Sequence, residues 1–269
     1  MSYSNKPDWF DNRLEGVIVC LDYGDFLAET LPMNLTHFDR LVVVTALRDQ
    51  VTRSVCRKYS VECVTTEAFT ERGEIFNKGA AINVGLAALR QRGWLLHLDA
   101  DIVLPNTFIN MLDKSALQRD CLYGCERACV TGWDQWQGLK HKWFENPQYF
   151  EKYFVHTPAE TPISPNVVHK HYGYTPIGFF QLFHSQHFQS CELRYPETES
   201  NAENMDVQFA IRWSRSKRLL LPTVRAYHLD SEAAPMGTNW NGRKTKPFTA
   251  DGQPLQVPDQ PGYGYSYRS

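Results

Sequence analysis

The feature that most constrains this chain is a series of short apolar runs, each followed by a polar or helical segment. GVIVCL (16–21), RLVVVTAL (40–47) and VECVTT (61–66) read as β-branched strands. NKGAAINVGLAALRQRG (77–93) sets Ala81, Val84, Ala88 and Leu89 near helical spacing, and Gly93 is expected to close that helix as its C′ residue. WLLHL (94–98) has the unbroken apolar character of a central parallel strand. Strand, helix and strand with short links build right-handed βαβ units, so the expected class is α/β, an open sheet flanked by helices. Ligands of such sheets bind beyond the carboxyl ends of the strands.

At that edge the pattern breaks. WLLHLDADIVLP (94–105) ends its apolar run on Asp99 and Asp101, then turns apolar again. A buried strand has no structural need of two like charges there. In extended backbone, residues i and i+2 point to one side. Two carboxylates so placed can share a hard divalent cation through oxygen. The competing reading is a solvated turn or a helix cap, both of which favour aspartate.

Composition removes several function classes. A chain of 269 residues fits one large domain, and 42% hydrophobic with 22% charged residues is the make-up of an ordinary globular protein. A net charge of −2 provides no global field to recruit nucleic acid or membrane, so any such partner must meet a local patch. No run approaches the roughly 20 apolar residues of a membrane span. The polar start MSYSNKPDWFDNRLEG lacks the apolar core of a signal peptide. The seven cysteines are an odd number. Cys121, Cys125 and Cys129 recur every four residues, but no CxxC or histidine pair accompanies them. They read as structural thiols on one face of a strand rather than as zinc ligands. A reducing cytoplasm is the expected location.

The second half is less regular. From Thr131 to Pro176 the chain is dense in aromatics, among them Trp133, Trp136, Trp143, Phe144, Tyr149, Tyr153 and Phe154. Such rings either cover a sheet or offer stacking faces to an acceptor. GFFQLFHSQHF (178–188) restores a strand, ENMDVQFAIRW (203–213) reads as a helix, and RLLLPTVRAYHL (218–229) as a strand pair or one strand bent at Pro222. After Ser231 the composition turns to Gly, Pro, Asn and basic residues, which suits a tail or lid.

The ordered set IFNKGAAINVGLAAL, WLLHLDADIVLP, GFFQLF, ENMDVQFAIRW and YHLDSE resembles the GT-A glycosyltransferases. Order and spacing are similar to family-2-type enzymes and to the β-1,4-galactosyltransferase group, where an FN-basic-x-x-x-N-x-G helix precedes the D-x-D strand. Small soluble bacterial and phage proteins with a GxNWNGRK-like tail are similar too. The resemblance runs from Gly16 to Phe248. It implies a GT-A, Rossmann-like open mixed sheet over 1–248, with the aromatic insertion at about 131–176 on the acceptor side and a tail at 249–269.

The resemblance also implies roles. Asp101 would bind a divalent metal directly, Asp99 the nucleotide ribose or the metal's water shell, and His228 would complete the metal site, with Asp230 and Glu232 as competitors. An imidazole ligand favours Mn²⁺ over Mg²⁺. The metal would bridge the diphosphate of a nucleotide sugar, with a UDP-sugar the expected donor. Asp206 or Glu203 would be the catalytic base of an inverting transfer; the bland reading of both is a first-turn acid stabilising its helix. Asp22, Tyr23, Thr45 and Arg48 would line the nucleobase pocket, and Lys78 would lie near the nucleotide. Trp240, Arg243 and Lys244, with Lys246, would form a mobile basic lid over the diphosphate; the alternative is a solvated basic run. The acceptor would be a saccharide or a hydroxymethylated pyrimidine of phage DNA, reached by base flipping or in single strands. Two rivals are a non-catalytic sugar- or nucleic-acid-binding module and a sugar-nucleotide nucleotidyltransferase. The latter calls for a Gly-rich basic loop after the first strand, which CLDYGDFLAE lacks.

Overall fold

The computed structural model describes residues 14–71, 73–145, 168–169, 173–190, 194–197, 202, 204–232, 239 and 242–256. Strand β1 (Leu14–Val19) is buried along its whole length, and its side chains alternate between two cores. Leu14 and Ile18 pack with Leu27 and Leu31 of α1 (Gly24–Asn34) and Val55 of α2 (Gln50–Lys58). Val17 and Val19 pack with Ala81, Ile82 and Leu86 of α3 (Lys78–Ala88) on the opposite face. The period-two register of one strand thus separates two helical layers.

Around β1 the sheet is parallel. β2 (Arg40–Thr45) and then β3 (Glu62–Thr65) lie on one side, and β4 (Trp94–Asp99) on the other. Beyond β4 it becomes mixed. β9 (Phe180–His184) runs antiparallel to β4 and to β6 (Leu122–Thr131). β10 (Arg218–Asp230) is parallel to β6, and β5 (Ile102–Val103) closes the edge antiparallel to β10. The order is β3-β2-β1-β4-β9-β6-β10-β5, and β7 (Val168–His169) with β8 (Gly173–Tyr174) forms a separate two-stranded ladder. The expected α/β class, an open mixed sheet flanked by helices, is what the chain forms.

The remaining helices are α4 (Phe108–Asp113), α5 (Trp133–Glu145), α6 (Ser185–Ser190) and α7 (Met205–Ala210). Helix α5 is pinned to α1 through Glu29, which accepts hydrogen bonds from Trp136 Nε1 and Lys140 Nζ at 2.6 Å each. Trp136 is fully buried there, in a third core that also holds Phe26, Tyr227 and Phe248. Trp133 joins its margin. Tyr149, Tyr153 and Phe154, and the side chains of Trp143 and Phe144, lie outside the described residues.

Several elements differ from expectation, each for a local reason. Helix α3 stops at Ala88 rather than running to Gly93, because Leu89 is extended. Gln91 (φ 53°) and Gly93 (φ 87°) then take left-handed conformations that turn the chain into β4, while Glu15 accepts the Arg90 and Arg92 N–H groups. Gly93 therefore leads into a strand instead of capping a helix. The helix expected over 203–213 is six residues long, and turns follow from Ile211. Strand β4 is parallel to β1 but antiparallel to β9, so it marks the change from parallel to mixed sheet. β10 is one strand, irregular between Leu221 and Arg225 where Pro222 cannot donate to the ladder.

Candidate functional site

Asp99 is the last residue of β4, and Asp101 lies in the turn after it rather than on extended backbone. The two aspartates are brought together by a sharp departure of the chain from the sheet centre, not by strand alternation. That turn is fixed from three sides. The Asp99 N–H donates to Phe179 O at 3.0 Å, and Leu229 N–H to Asp101 O at 2.9 Å. From below, Thr30 Oγ1 donates to Ala100 O at 2.6 Å and Asn34 Nδ2 to Ile102 O at 2.7 Å, while Asn34 Oδ1 accepts the Leu104 N–H at 2.9 Å. Thr30 and Asn34 are fully buried in α1. These bonds satisfy backbone groups that would otherwise be buried and unpaired.

The turn delivers Asp101 to His228 of β10, with Nε2 3.3 Å from Asp101 Oδ2. The other oxygen, Oδ1, is buried and has no hydrogen-bond partner. An orphaned carboxylate oxygen is costly unless a cation reaches it. Asp99 Oδ1 is paired with Lys78 Nζ, and His97 Nε2 is 3.6 Å away. Burial and then Lys78 push His97 well below its ordinary pKa, so it stands neutral beside Asp99. Burial raises the Asp99 carboxyl above the usual range against the pull of Lys78. Burial acts the same way on Asp101, but His228, Lys78 and Arg127 outweigh it and hold that carboxyl low. For His228, burial disfavours the imidazolium, yet Asp101 wins and the pKa rises to about 10. In this state His228 is the cation that balances Asp101.

Arg127 of β6 was not anticipated from the sequence. Its guanidinium lies 4.7 Å from the Phe179 ring centroid, and its charge acts on both Asp101 and His228. In the β6–β10 register Cys129 opposes His228 and Arg127 opposes Ala226, which sets Arg127 two residues along the same face.

Asp206, at the start of α7, accepts the Gly178 N–H at 2.6 Å and the Val207 N–H at 2.7 Å. A Cβ on Gly178 would lie 3.0 Å from Asp206 Cβ, a contact that Asp206 would have to yield to by a few tenths of an ångström. Gly178 O in turn lies 3.4 Å from Lys78 Nζ, which links Asp206 to the Asp99–Lys78 pair through one residue. Glu203 lies outside the described residues.

The ends of β1 and β2 form a second group. Asp22, at φ 60°, makes two hydrogen bonds to Arg48, at 3.1 and 3.0 Å, across an exposed pair. Asp49, also missed in the sequence, holds this corner. Its Oδ2 accepts from Asp22 N, Thr45 Oγ1 and Thr52 Oγ1, and its Oδ1 caps α2 at Thr52 N. Thr45 is fully buried in that network. The D-x-x-T spacing at Asp49 and Thr52 was the available signal. Tyr23 bridges the two groups: burial, then Asp101, raise its phenol above the ordinary value, and Thr245 hydrogen-bonds its hydroxyl.

The basic segment after Ser231 is docked where it is described. Arg243 pairs with buried Asp25 at 2.5 and 2.7 Å, and Phe248 is buried against Phe26 with ring centroids 4.7 Å apart. Lys244 and Lys246 are exposed, and Lys246 lies 3.5 Å from Glu232. Trp240 lies outside the described residues.

Among the described residues no three His, Cys, Asp or Glu side chains form a ready metal cluster, and no helix is long and apolar enough to cross a membrane. Asp101 and His228 offer a partial donor set. Mg²⁺ and Mn²⁺ at phosphate sites are commonly held by one or two protein ligands with substrate phosphates supplying the rest. The orphaned Asp101 oxygen fits such an ion.

No protein family matches the chain, and no curated protein matches it. Among solved structures it is similar to glucosyl-3-phosphoglycerate synthase from Mycobacterium tuberculosis, in a complex with Mn²⁺, UDP and glucosyl-3-phosphoglycerate. That likeness has 13% identity and a TM-score of 0.44, over 84% of this chain and 74% of that one. It is similar also to the inositol-1-phosphate CTP transferase from T. maritima, at 13% identity and a TM-score of 0.46, over 81% of this chain and 90% of that one. A mycobacterial protein matches at 14% identity and a TM-score of 0.45, over 84% of this chain and 69% of that one.

Proposed function

We propose that the chain is a metal-dependent GT-A glycosyltransferase that moves a sugar from a nucleoside-diphosphate sugar, UDP-linked, to an acceptor hydroxyl with inversion. The observation that carries this reading is the buried, unpartnered Oδ1 of Asp101, whose other oxygen meets His228, at the carboxyl edge of the sheet. Asp101 and His228 would hold Mn²⁺ or Mg²⁺, and the imidazole donor favours Mn²⁺. Because a ligating imidazole must be neutral, metal entry would displace the His228 proton. When bound, the ion supplies Lewis-acid stabilisation of the negative charge that builds on the leaving diphosphate.

The chain's own residues do the rest. Lys78 and Arg127 add fixed positive charge beside the aspartates. Asp99, paired with Lys78, would be available to the ribose. Asp206 or Glu203 accepts the proton of the attacking hydroxyl; for Asp206 the N–H groups of Gly178 and Val207 orient the carboxylate. Asp22, Tyr23, Thr45 and Arg48 form the nucleoside side, with Thr45 acting from inside the Asp49 network. A saccharide or a hydroxymethylated pyrimidine base would serve as acceptor.

A thermal-shift panel of UDP-, GDP-, CMP- and dTDP-sugars with and without Mn²⁺ tests this reading. Metal-dependent stabilisation by the UDP-sugar is expected. Stabilisation by none of them, or by all without metal, would contradict it.

A further inference from the structure

Arg243 is the most completely committed side chain on this edge of the molecule. A guanidinium carries five N–H donors. Nε donates to Thr245 O at 3.1 Å, Nη1 to Asp22 O at 2.9 Å and Asp25 Oδ1 at 2.5 Å, and Nη2 to Asp25 Oδ2 at 2.7 Å and Lys246 O at 2.5 Å. All five are used. Its carbon also lies 4.9 Å from the Tyr23 ring centroid and 5.2 Å from that of Phe26. The same Asp25 carboxylate accepts the Phe248 N–H at 2.5 Å.

One residue therefore joins the segment 243–248 to the turn between β1 and α1. That turn needs help. Asp22 holds a left-handed φ of 60°, which a non-glycine residue adopts at a cost, and its carbonyl is one of the five acceptors. The next residue, Tyr23, has its ring under the guanidinium and its hydroxyl bonded to Thr245 of the same segment.

We propose that Arg243 is a positioning residue of the donor site: it fixes Asp22 and Tyr23 in the shape that receives the nucleoside and takes no phosphate itself. The segment it anchors is a standing wall of the site. The inference rests on the donor-site reading above and adds to it a division of labour. The site's phosphate-facing cations are Lys78 and Arg127, while Arg243 acts only through Asp22 and Tyr23. Lysine cannot replace it, since three donors on a point charge cannot satisfy five acceptors in a planar fork.

The test compares Arg243→Lys with the parent chain for uridine and UDP binding by calorimetry with Mn²⁺, and for backbone hydrogen exchange. Loss of preorganisation should weaken both ligands by one factor, about tenfold, because the lost contact lies on the nucleoside side. Exchange should rise over 20–26 and 242–248 while the other strands stay protected. Thr245→Val, which leaves Arg243 intact, should weaken both ligands by a smaller common factor. A loss confined to UDP would make Arg243 a phosphate ligand and overturn the proposal. So would unchanged affinities. If the parent chain binds neither ligand, the donor-site reading fails, and the exchange experiment decides alone: no rise over 20–26 in Arg243→Lys refutes the clamp. Should that variant not fold, the common-factor loss in Thr245→Val supports the proposal and an unchanged affinity refutes it.

Discussion

A carboxylate oxygen buried without a partner marks Asp101 as a residue whose environment is completed from outside the chain. Asparagine there keeps the volume and removes the charge that both His228 and an incoming cation need. Asp101→Asn should weaken Mn²⁺-dependent UDP binding at least about a hundredfold, since losing a mere outer-shell partner of a metal ligand already costs about 10–100-fold. Its far-UV circular dichroism should match the parent. A variant that keeps metal-dependent binding would move the metal elsewhere. At this scale the sequence was readable where a pattern broke: Asp99 and Asp101 interrupt an apolar run, and His228 ends one. Thr30, Asn34 and Asp25 were invisible. They are polar residues within α1, and nothing local says that their side chains turn inward to hold the D-A-D turn or the C-terminal segment. Arg243 and Asp25 are 218 positions apart, a separation that no spacing rule reaches.

Among the elements, α3 shows how packing overrides propensity. Gly85 sits mid-helix, where alanine would gain about 1 kcal/mol of helix propensity. A Cβ there would lie 2.5 Å from Val17 Cγ1 and 2.8 Å from Val44 Cγ2, so the glycine is what lets α3 lie close on β1 and β2. Overpacking of this kind costs about 1–3 kcal/mol. Gly85→Ala should therefore lower the urea midpoint, whereas propensity alone predicts a rise. The first four strands were legible because three are compact β-branched runs and the fourth is an unbroken apolar one. Helix ends were not, since the stop at Ala88 depends on Glu15 accepting N–H groups from the following loop, a contact made across the fold. The D-A-D geometry was misjudged for a related reason. Strand alternation predicts a shared side, but the chain leaves the sheet at Asp99 and pairs again at β5.

Over the whole molecule, the cores on the two sheet faces are accompanied by a third that the chain's last described stretch completes. Phe248 is 1% exposed and packs on Phe26 and Trp133. Phe248→Ala should cost about 3–5 kcal/mol, a large share of the stability of a single domain. Equilibrium unfolding in urea would read this as a lowered midpoint with an unchanged slope. If the residues after Ser231 were only a solvated tail, the midpoint would not move. The composition of that segment suggested a lid because Gly, Asn and Lys dominate it. What docks it is a few residues, Arg243, Thr245 and Phe248, whose partners lie on α1 and on the turn before it.

The most direct measurement is a Mn²⁺ titration followed by electron paramagnetic resonance in the presence of UDP, on the parent chain, Asp101→Asn and His228→Gln. One tight site per chain is expected in the parent, absent in Asp101→Asn and weakened in His228→Gln. A parent chain that binds no Mn²⁺ with UDP, or an Asp101→Asn variant that binds it as tightly, would contradict the assignment of this edge as a metal–diphosphate site.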